Sequence, residues 1–395
     1  MDYASLFQTR LDEQFIREST TAWMEGNAVG IVYSGGKYVK VPKRTVDGLG
    51  NYNRSTGYPT AGAIDVAYET FELTQDRAKR FNIDRIDMDE TAFVINAAAT
   101  MQQFQKEWVI PEIDSYRYSK IFQLANQKLK TKAYTPANNI YSTLIGEIAD
   151  IQDVIGSGVP LVVCISGKAA KELAKSTEIT KYTIIGDQNF SSGNINTKVK
   201  MLDGTIPLIE VPSARMQSLF DFDATAGYSK NALAMQLNWI ILVKSAPLAI
   251  TKLDEMKIID PEHNQTYSGW SIFYRRFHDL WILDNSFDGI WANYTAINAP
   301  DLAPTFATGS ASGATKFTVG SGIPATGNHL AYIKQAGAGS YKFNDVVTGA
   351  TTYTAGADIA SCTAGQHLLS FELDAVNHVV KFNDHTLVAG DIKSS

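Results

Sequence analysis

FELTQDRAKRFNIDRIDMDETAF, residues 71–93, passes from a charged, alternating strand into the cap of a helix, and its continuation to Ala125 decides the fold. Asp89 is a good N-cap, and Glu90 in the first turn complements the helix dipole. Apolar residues then recur at Phe93, Ala97, Met101, Phe104 and Trp108, with Val94 and Ala98 beside them, which is helical and not strand periodicity. The spacing predicts one face buried along about four turns, with those five residues as its core. Pro111 interrupts the pattern, and Ile113, Tyr118, Ile121, Phe122 and Ala125 resume it. A proline there predicts a kink or a break. Helices average about three turns, so one of twice that length needs support from a sheet or a neighbouring subunit.

At 395 residues, the chain suits two or three domains. Apolar residues make up 45%, enough for sizeable cores, whereas charged residues make up only 19%, below the usual quarter or so. The deficit implies polar, uncharged surfaces suited to packing against other copies. A net charge of −6 argues against a direct grip on nucleic acid, which needs concentrated Lys and Arg, but allows a container for it. Two cysteines, Cys164 and Cys362, give neither a disulfide framework nor a metal quartet, which suits synthesis in a reducing cytosol. The first residues, MDYASLFQTRLDEQF, do not read as a signal peptide, and no apolar run approaches the roughly 18 residues of a membrane span.

Before the deciding stretch, Phe7, Leu11, Phe15 and Ile16 form an amphipathic arm that ends near Gly26. KYVKVPK, residues 37–43, reads as a strand with lysines on one face and valines on the other, followed by the turn-rich TVDGLGNYNRSTGYPTAGA. So thin an excursion buries little by itself and is expected to lie on a partner. After the long helix come a helix over residues 141–155, a buried strand LVVCIS, a short helix GKAAKELAKS, and strands GTIPLIEVP and NWIILVKSAP around a small central sheet. LAITKLDEMKIID and GWSIFYRRFHDLWILDN give further strands. Past Pro300 the chain turns Thr/Ala/Gly/Ser-rich, and TKFTV, HLAYIK, SYKFNDV, HLLSFELD and HVVKFND predict a β-sandwich attached through the linker APDLAPT.

Catalytic and metal-binding patterns fail on inspection. CISGKAA has Val162 where a phosphate loop needs its first glycine and Ala169 where it needs a magnesium-binding hydroxyl, so Gly167 reads as a turn between strand and helix. His278 and Asp279 have no GxSxG, HExxH or CxxC partner, and fit a pair that anchors a turn or meets Arg275 and Arg276. Asp84, Asp87, Asp89 and Glu90 lack the glycine and distal glutamate of a calcium loop. No cofactor is expected.

Taken together, VKVPKRTVDGLGNYNRSTGY (39–58), FELTQDRAKRFNIDRIDMDETAF (71–93), EWVIPEIDSYRYSKIF (107–122) and FYRRFHDLWILDNSFDGIWAN (273–293) resemble the major capsid proteins of tailed bacteriophages in content, order and spacing. The resemblance covers residues 1–300 and implies the Hong Kong 97 type capsid fold, of α+β class. It implies an N-terminal arm (1–30), an extended loop (31–75), a peripheral domain with a long spine helix (76–136), an axial domain (137–235) and a second peripheral part (236–300). Residues 301–395 look like an appended Ig-like β-sandwich domain. The implied function is structural and not enzymatic: a subunit that self-assembles into hexamers and pentamers of an icosahedral head around double-stranded DNA, without sequence-specific binding. Implied partners are further copies of the chain, a separate scaffolding protein, a portal and decoration proteins, with no membrane. The implied place is the virion, assembled in the bacterial cytoplasm. Candidate contacts between subunits are Lys37, Lys40, Lys43, Arg44, Tyr52, Arg54, Glu72, Arg77 and Arg80. Some relatives weld subunits by a lysine–asparagine isopeptide bond. Lys37, Lys40 and Lys43, with Asn285 and Asn293, supply the residue types, but the bond also needs a buried carboxylate and a desolvated lysine.

Two alternatives stand beside this reading. A nanocompartment shell of the same fold would enclose an enzyme instead of a genome. A tail or adhesion module would explain residues 301–395 but leaves the long helix without a purpose.

Overall fold

The computed structural model describes residues 18–28, 32–33, 36–46, 51–55, 64–84, 97–137, 139–176, 183–189, 196–202, 205–223, 227–265 and 268–394. Only the backbone is described at 32–33, 44–46, 64–66, 97–100, 183–189 and 196–199. The chain divides into two units, Met1–Lys132 with Pro136–Tyr294, and Ala133–Thr135 with Thr295–Ser395. Phe93, Asp87, Asp89, Glu90 and the arm's Phe7, Leu11, Phe15 and Ile16 lie outside the described residues.

In the first unit the long helix is α1 (Ala97–Phe104) and α2 (Ile110–Gln127), joined without a break by the π-helical turn Gln105–Val109. Pro111 has no N–H to donate, and its ring crowds the carbonyl four residues back. The helix widens just before it: the Ile110 amide bonds to the Gln105 carbonyl, five residues back. The wide turn moves the buried stripe on by one residue. Met101 and Gln105 are buried, and next come Val109, Ile110 and Ile113. Trp108, expected in the core, is 45% exposed, and Phe104 is partly buried.

That stripe packs on a three-stranded antiparallel sheet ordered Pro247–Ile259, Gly269–Ile282, Gln75–Asp84. Met101, Val109, Ile110 and Ile113 meet Ile83, Met256, Ile272 and Tyr274 there. The stretch expected as one strand from Phe71 is two strands in different sheets, Ile64–Glu72 and Gln75–Asp84. The chain turns at Leu73 and Thr74, where Thr74 donates from its amide and hydroxyl, both at 2.8 Å, to Asp279.

Tyr38–Val46 and Ile64–Glu72 form the extended hairpin. Alternation places Val39, Val41 and Lys43 on one face and Tyr38, Lys40 and Pro42 on the other, so the lysines do not share a face. The valines are buried with Leu73, Ile250 and Trp281, and Phe71 stacks on Trp281 at 5.2 Å. The base of the hairpin is therefore supported by its own chain.

The central sheet has seven strands, not a few: Thr131–Ala133, Ile290–Thr295, Gln236–Val243, Leu161–Ser166, Ile206–Val211, Asn196–Leu202 and Thr183–Asn189, in that order. Its inner strands LVVCIS and LNWIIL are buried along their length, as continuous apolar runs require. Helices α3 (Ile140–Ile155) and α4 (Gly167–Lys175) accompany it. Ser166 caps α4 by accepting from the Ala169 amide, and Gly167, read as a turn, is the first residue of the helix.

The second unit has a two-stranded sheet, Thr305–Thr308 with Thr315–Thr318, and a four-stranded sheet ordered Thr351–Tyr353, His329–Gln335, His367–Leu373, Val379–Thr386. SYKFNDV supplies isolated bridges and no strand. APDLAPT is no loose linker: Leu302 lies in the unit's core, and Pro300 and Leu302 exchange backbone hydrogen bonds with Phe382.

Candidate assembly surface

The surface is held rigid from behind by a polar network. Asp114, wholly buried in α2, accepts from the hydroxyls of Ser19 (2.7 Å), Thr20 (3.0 Å) and Thr21 (2.6 Å), the Thr20 amide (3.0 Å) and Arg215 (3.0 Å). One turn on, buried Arg117 pairs with Glu25, which also receives Arg276 (3.0 Å) and Thr251 (3.0 Å). Burial pushes the Glu25 carboxyl up, but the charges of Arg117 and Arg276 outweigh it and hold the group below the usual carboxylate range. Residues 19–27 are thereby fastened to the long helix and the strand Pro247–Ile259.

Asp279 anchors the Thr74 turn and accepts from the Tyr116 hydroxyl at 2.6 Å. Burial, with Arg276, Arg117 and Arg77 nearby, holds His278 well below its usual pKa, so its ring is neutral at pH 7. Arg276 goes to Asp254 and Glu25, and Arg275 to Asp76.

The expected contact residues fall into two groups. Arg77 is engaged within its own chain, bonding Glu112 (2.7 Å) and the carbonyls of Asp223 (3.1 Å) and Gly227 (2.8 Å). Lys43 pairs with Glu69 (3.2 Å) and Asp284 (3.7 Å). Lys37 pairs with Glu72 at the surface. Arg80 bonds Asn82 (2.9 Å) and lies 5.2 Å from the Phe273 ring. Lys40, Tyr52 and Arg54 are exposed; Arg44 has only its backbone described, as has Ala97 of the expected helix core.

Sequence reasoning missed the outer aromatic face. Tyr38 and Tyr68 stand on the solvent side of the hairpin, and Trp108 overhangs a cleft of about 510 Å³ that also takes in Phe104, Tyr274, Arg77 and Glu112. Gly227, at φ +86, lies under the Trp108 ring, where a Cβ would come within 3.2 Å. The signal was available for the tyrosines, whose parity matches Lys40, but not for Trp108, whose direction depends on the π turn.

Asn293, one of the two asparagines of the right type named above, is wholly buried. Its amide donates to Glu147 (2.8 Å), and its carbonyl accepts from Asn238 (2.8 Å). That closes it to a neighbour's extended loop, whereas Asn285 is exposed. Glu147 lies on the apolar stripe of α3 between Leu144 and Ile148, a placement that marks it in the sequence as a buried carboxylate.

Among the described residues no helix is long and apolar enough to cross a membrane. The family described as the S-layer protein SbsC C-terminal domain matches residues 307–390. No curated protein matches the chain in sequence. Similar solved structures include the capsid of the cyanophage P-SCSP1u, 13% identical, covering 67% of this chain and 85% of that one with a TM-score of 0.48. The mature capsid of bacteriophage PhiM1 is 11% identical, covering 67% and 83% with a TM-score of 0.46. A virus-like particle from Pyrococcus furiosus is 10% identical, covering 74% and 100% with a TM-score of 0.44.

Proposed function

We propose that this chain is the major capsid subunit of a tailed bacteriophage, which self-assembles into hexamers and pentamers of an icosahedral head enclosing double-stranded DNA. The observation that carries this reading is the placement of the exposed aromatics. Among the described residues the large aromatic side chains left strongly exposed are Tyr38, Tyr52, Tyr68 and Trp108, and all four lie in the extended-loop region or on the long helix. A lone subunit gains nothing from such exposure, whereas a ring of neighbours buries it. The rigid network behind this surface supports the reading, because a repeated contact needs a fixed geometry. Net charge of −6 suits enclosure of DNA without a grip on it. Scaffolding, portal and decoration proteins are the proposed partners, the virion is the proposed location, and residues 295–395 are assigned a passive, stabilising role.

Expression with and without a candidate scaffolding protein, followed by negative-stain electron microscopy, tests the proposal. Closed particles or rings of five and six are expected. A product that stays monomeric with scaffold overturns it, and particles loaded with a protein cargo would favour a nanocompartment.

A further inference from the structure

The cleft beside Trp108 has the dimensions of a small-molecule site, and not all of its polar groups serve the fold. Its volume, about 510 Å³, lies in the range of ligand pockets. Aromatic rings line it: Phe104 meets Tyr274 edge to face at 6.0 Å and Phe81 in the same way at 4.9 Å. Most of the charges around it are spent within the chain. Arg77 bonds Glu112 (2.7 Å), Arg276 pairs with Asp254 (2.7 Å) and Glu25 (3.0 Å), and Asp76 pairs with Arg275 (2.6 Å).

Two groups are left over, one at each depth. Lys79 is exposed at the rim, on the same side of its strand as Arg77 and Phe81, and is in no ion pair among the described residues. At the floor His278 is 3% exposed, and its Nδ1 has no hydrogen-bond partner among the described residues. A buried polar atom without a partner is a cost to the fold. One that lines a cavity is open to a partner from outside the chain.

We propose that this cleft binds a small aromatic acid that carries a hydroxyl at the far end of its ring. The ring lies among Trp108, Phe104 and Tyr274, the acid group meets the Lys79 ammonium at the rim, and the hydroxyl reaches His278 Nδ1 at the floor. Because the His278 ring is neutral at pH 7, the floor offers a hydrogen bond and no charge, so the site calls for one anionic group and not two. An aromatic cation is repelled by Lys79, and a wholly apolar ring leaves Nδ1 unpaired. The inference does not rest on the capsid reading and is tested on the unassembled chain.

Isothermal titration calorimetry of the full chain with p-coumarate is the test. One site per chain is expected, with methyl p-coumarate, which lacks the charge, and cinnamate, which lacks the hydroxyl, each bound about tenfold more weakly. Lys79→Glu is expected to weaken p-coumarate about tenfold or more, and Trp108→Ala about fivefold. Lys171→Glu, the same change of charge at an exposed position on α4, should leave the affinity within about twofold. Melting curves establish that each variant is folded. The absence of saturable heat overturns the proposal, as does equal weakening by Lys79→Glu and Lys171→Glu, or equal affinity for p-coumarate and cinnamate.

Discussion

The Thr21 hydroxyl donates a 2.6 Å hydrogen bond to the Asp114 carboxylate across 93 residues of sequence. Ser19, Thr20 and Arg215 converge on the same carboxylate, so its removal strands several donors at once. Asp114→Ala is expected to lower subunit stability by about 3 kcal/mol or more, as breaking a buried ionic cluster does. Urea unfolding measures it, and a midpoint within error of wild type would refute the role assigned to Asp114.

Met101 and Trp108 separate burial from exposure on one helix. Met101→Ala is expected to cost about 2–5 kcal/mol, whereas Trp108→Ala should stay within about 1 kcal/mol, because the indole is already half in water. If the assembly reading is right, Trp108→Ala nonetheless reduces particle yield. Equal melting losses for the two variants would contradict the phase shift at the π turn.

On the hairpin, Tyr68→Ala and Lys40→Glu alter only the outer face. Each is expected to leave the unfolding midpoint of the subunit within about 0.5 kcal/mol of wild type while lowering the yield of closed particles seen by microscopy. Trp281→Ala, beneath the inner face, is the contrast, with an expected loss of about 3–5 kcal/mol. Full particle yield from both outer-face variants would remove the hairpin from the assembly surface.

The second unit is expected to weaken in acid. The amides of Ser310 and Ala311 hold the Asp358 carboxyl below its ordinary value. Burial pushes Asp374 up, but hydrogen bonds from His378 outweigh it, and this group is lowered too. A carboxyl lowered by folding binds fewer protons in the native state, so its contribution is complete above the unfolded value, near 3.8, and is lost as pH falls below it. Melting temperatures recorded between pH 6 and pH 3 should be level at first and then drop. A flat profile down to pH 3 would mean these bonds do not stabilise the fold.

Much of the architecture was legible because it rests on local pattern. LVVCIS and NWIILV announce fully buried strands, and the spacing of Leu144, Ile148, Ile151 and Ile155 announces α3. What escaped depends on distant partners. The turn at Thr74 is made by Asp279, 205 residues later, and Leu302 leaves a supposed linker for a core where its amide meets the Phe382 carbonyl. Trp108 was misplaced for a different reason: a proline removes a donor, and whether the helix then kinks, breaks or widens is settled by packing against Ile272 and Tyr274, not by the proline. Of the outer aromatics, Tyr38 needed only a count of parity from Val39.

The two-sided hairpin also constrains how the chain can change over generations. Adding or removing one residue within either strand would swing Val39 and Val41 into water and drive Tyr38 and Lys40 inward, losing both faces in a single step. Within Tyr38–Val46 and Ile64–Glu72, a change of length is therefore among the costliest the chain can undergo. Related chains should accordingly keep the lengths of these two strands even where their side chains diverge.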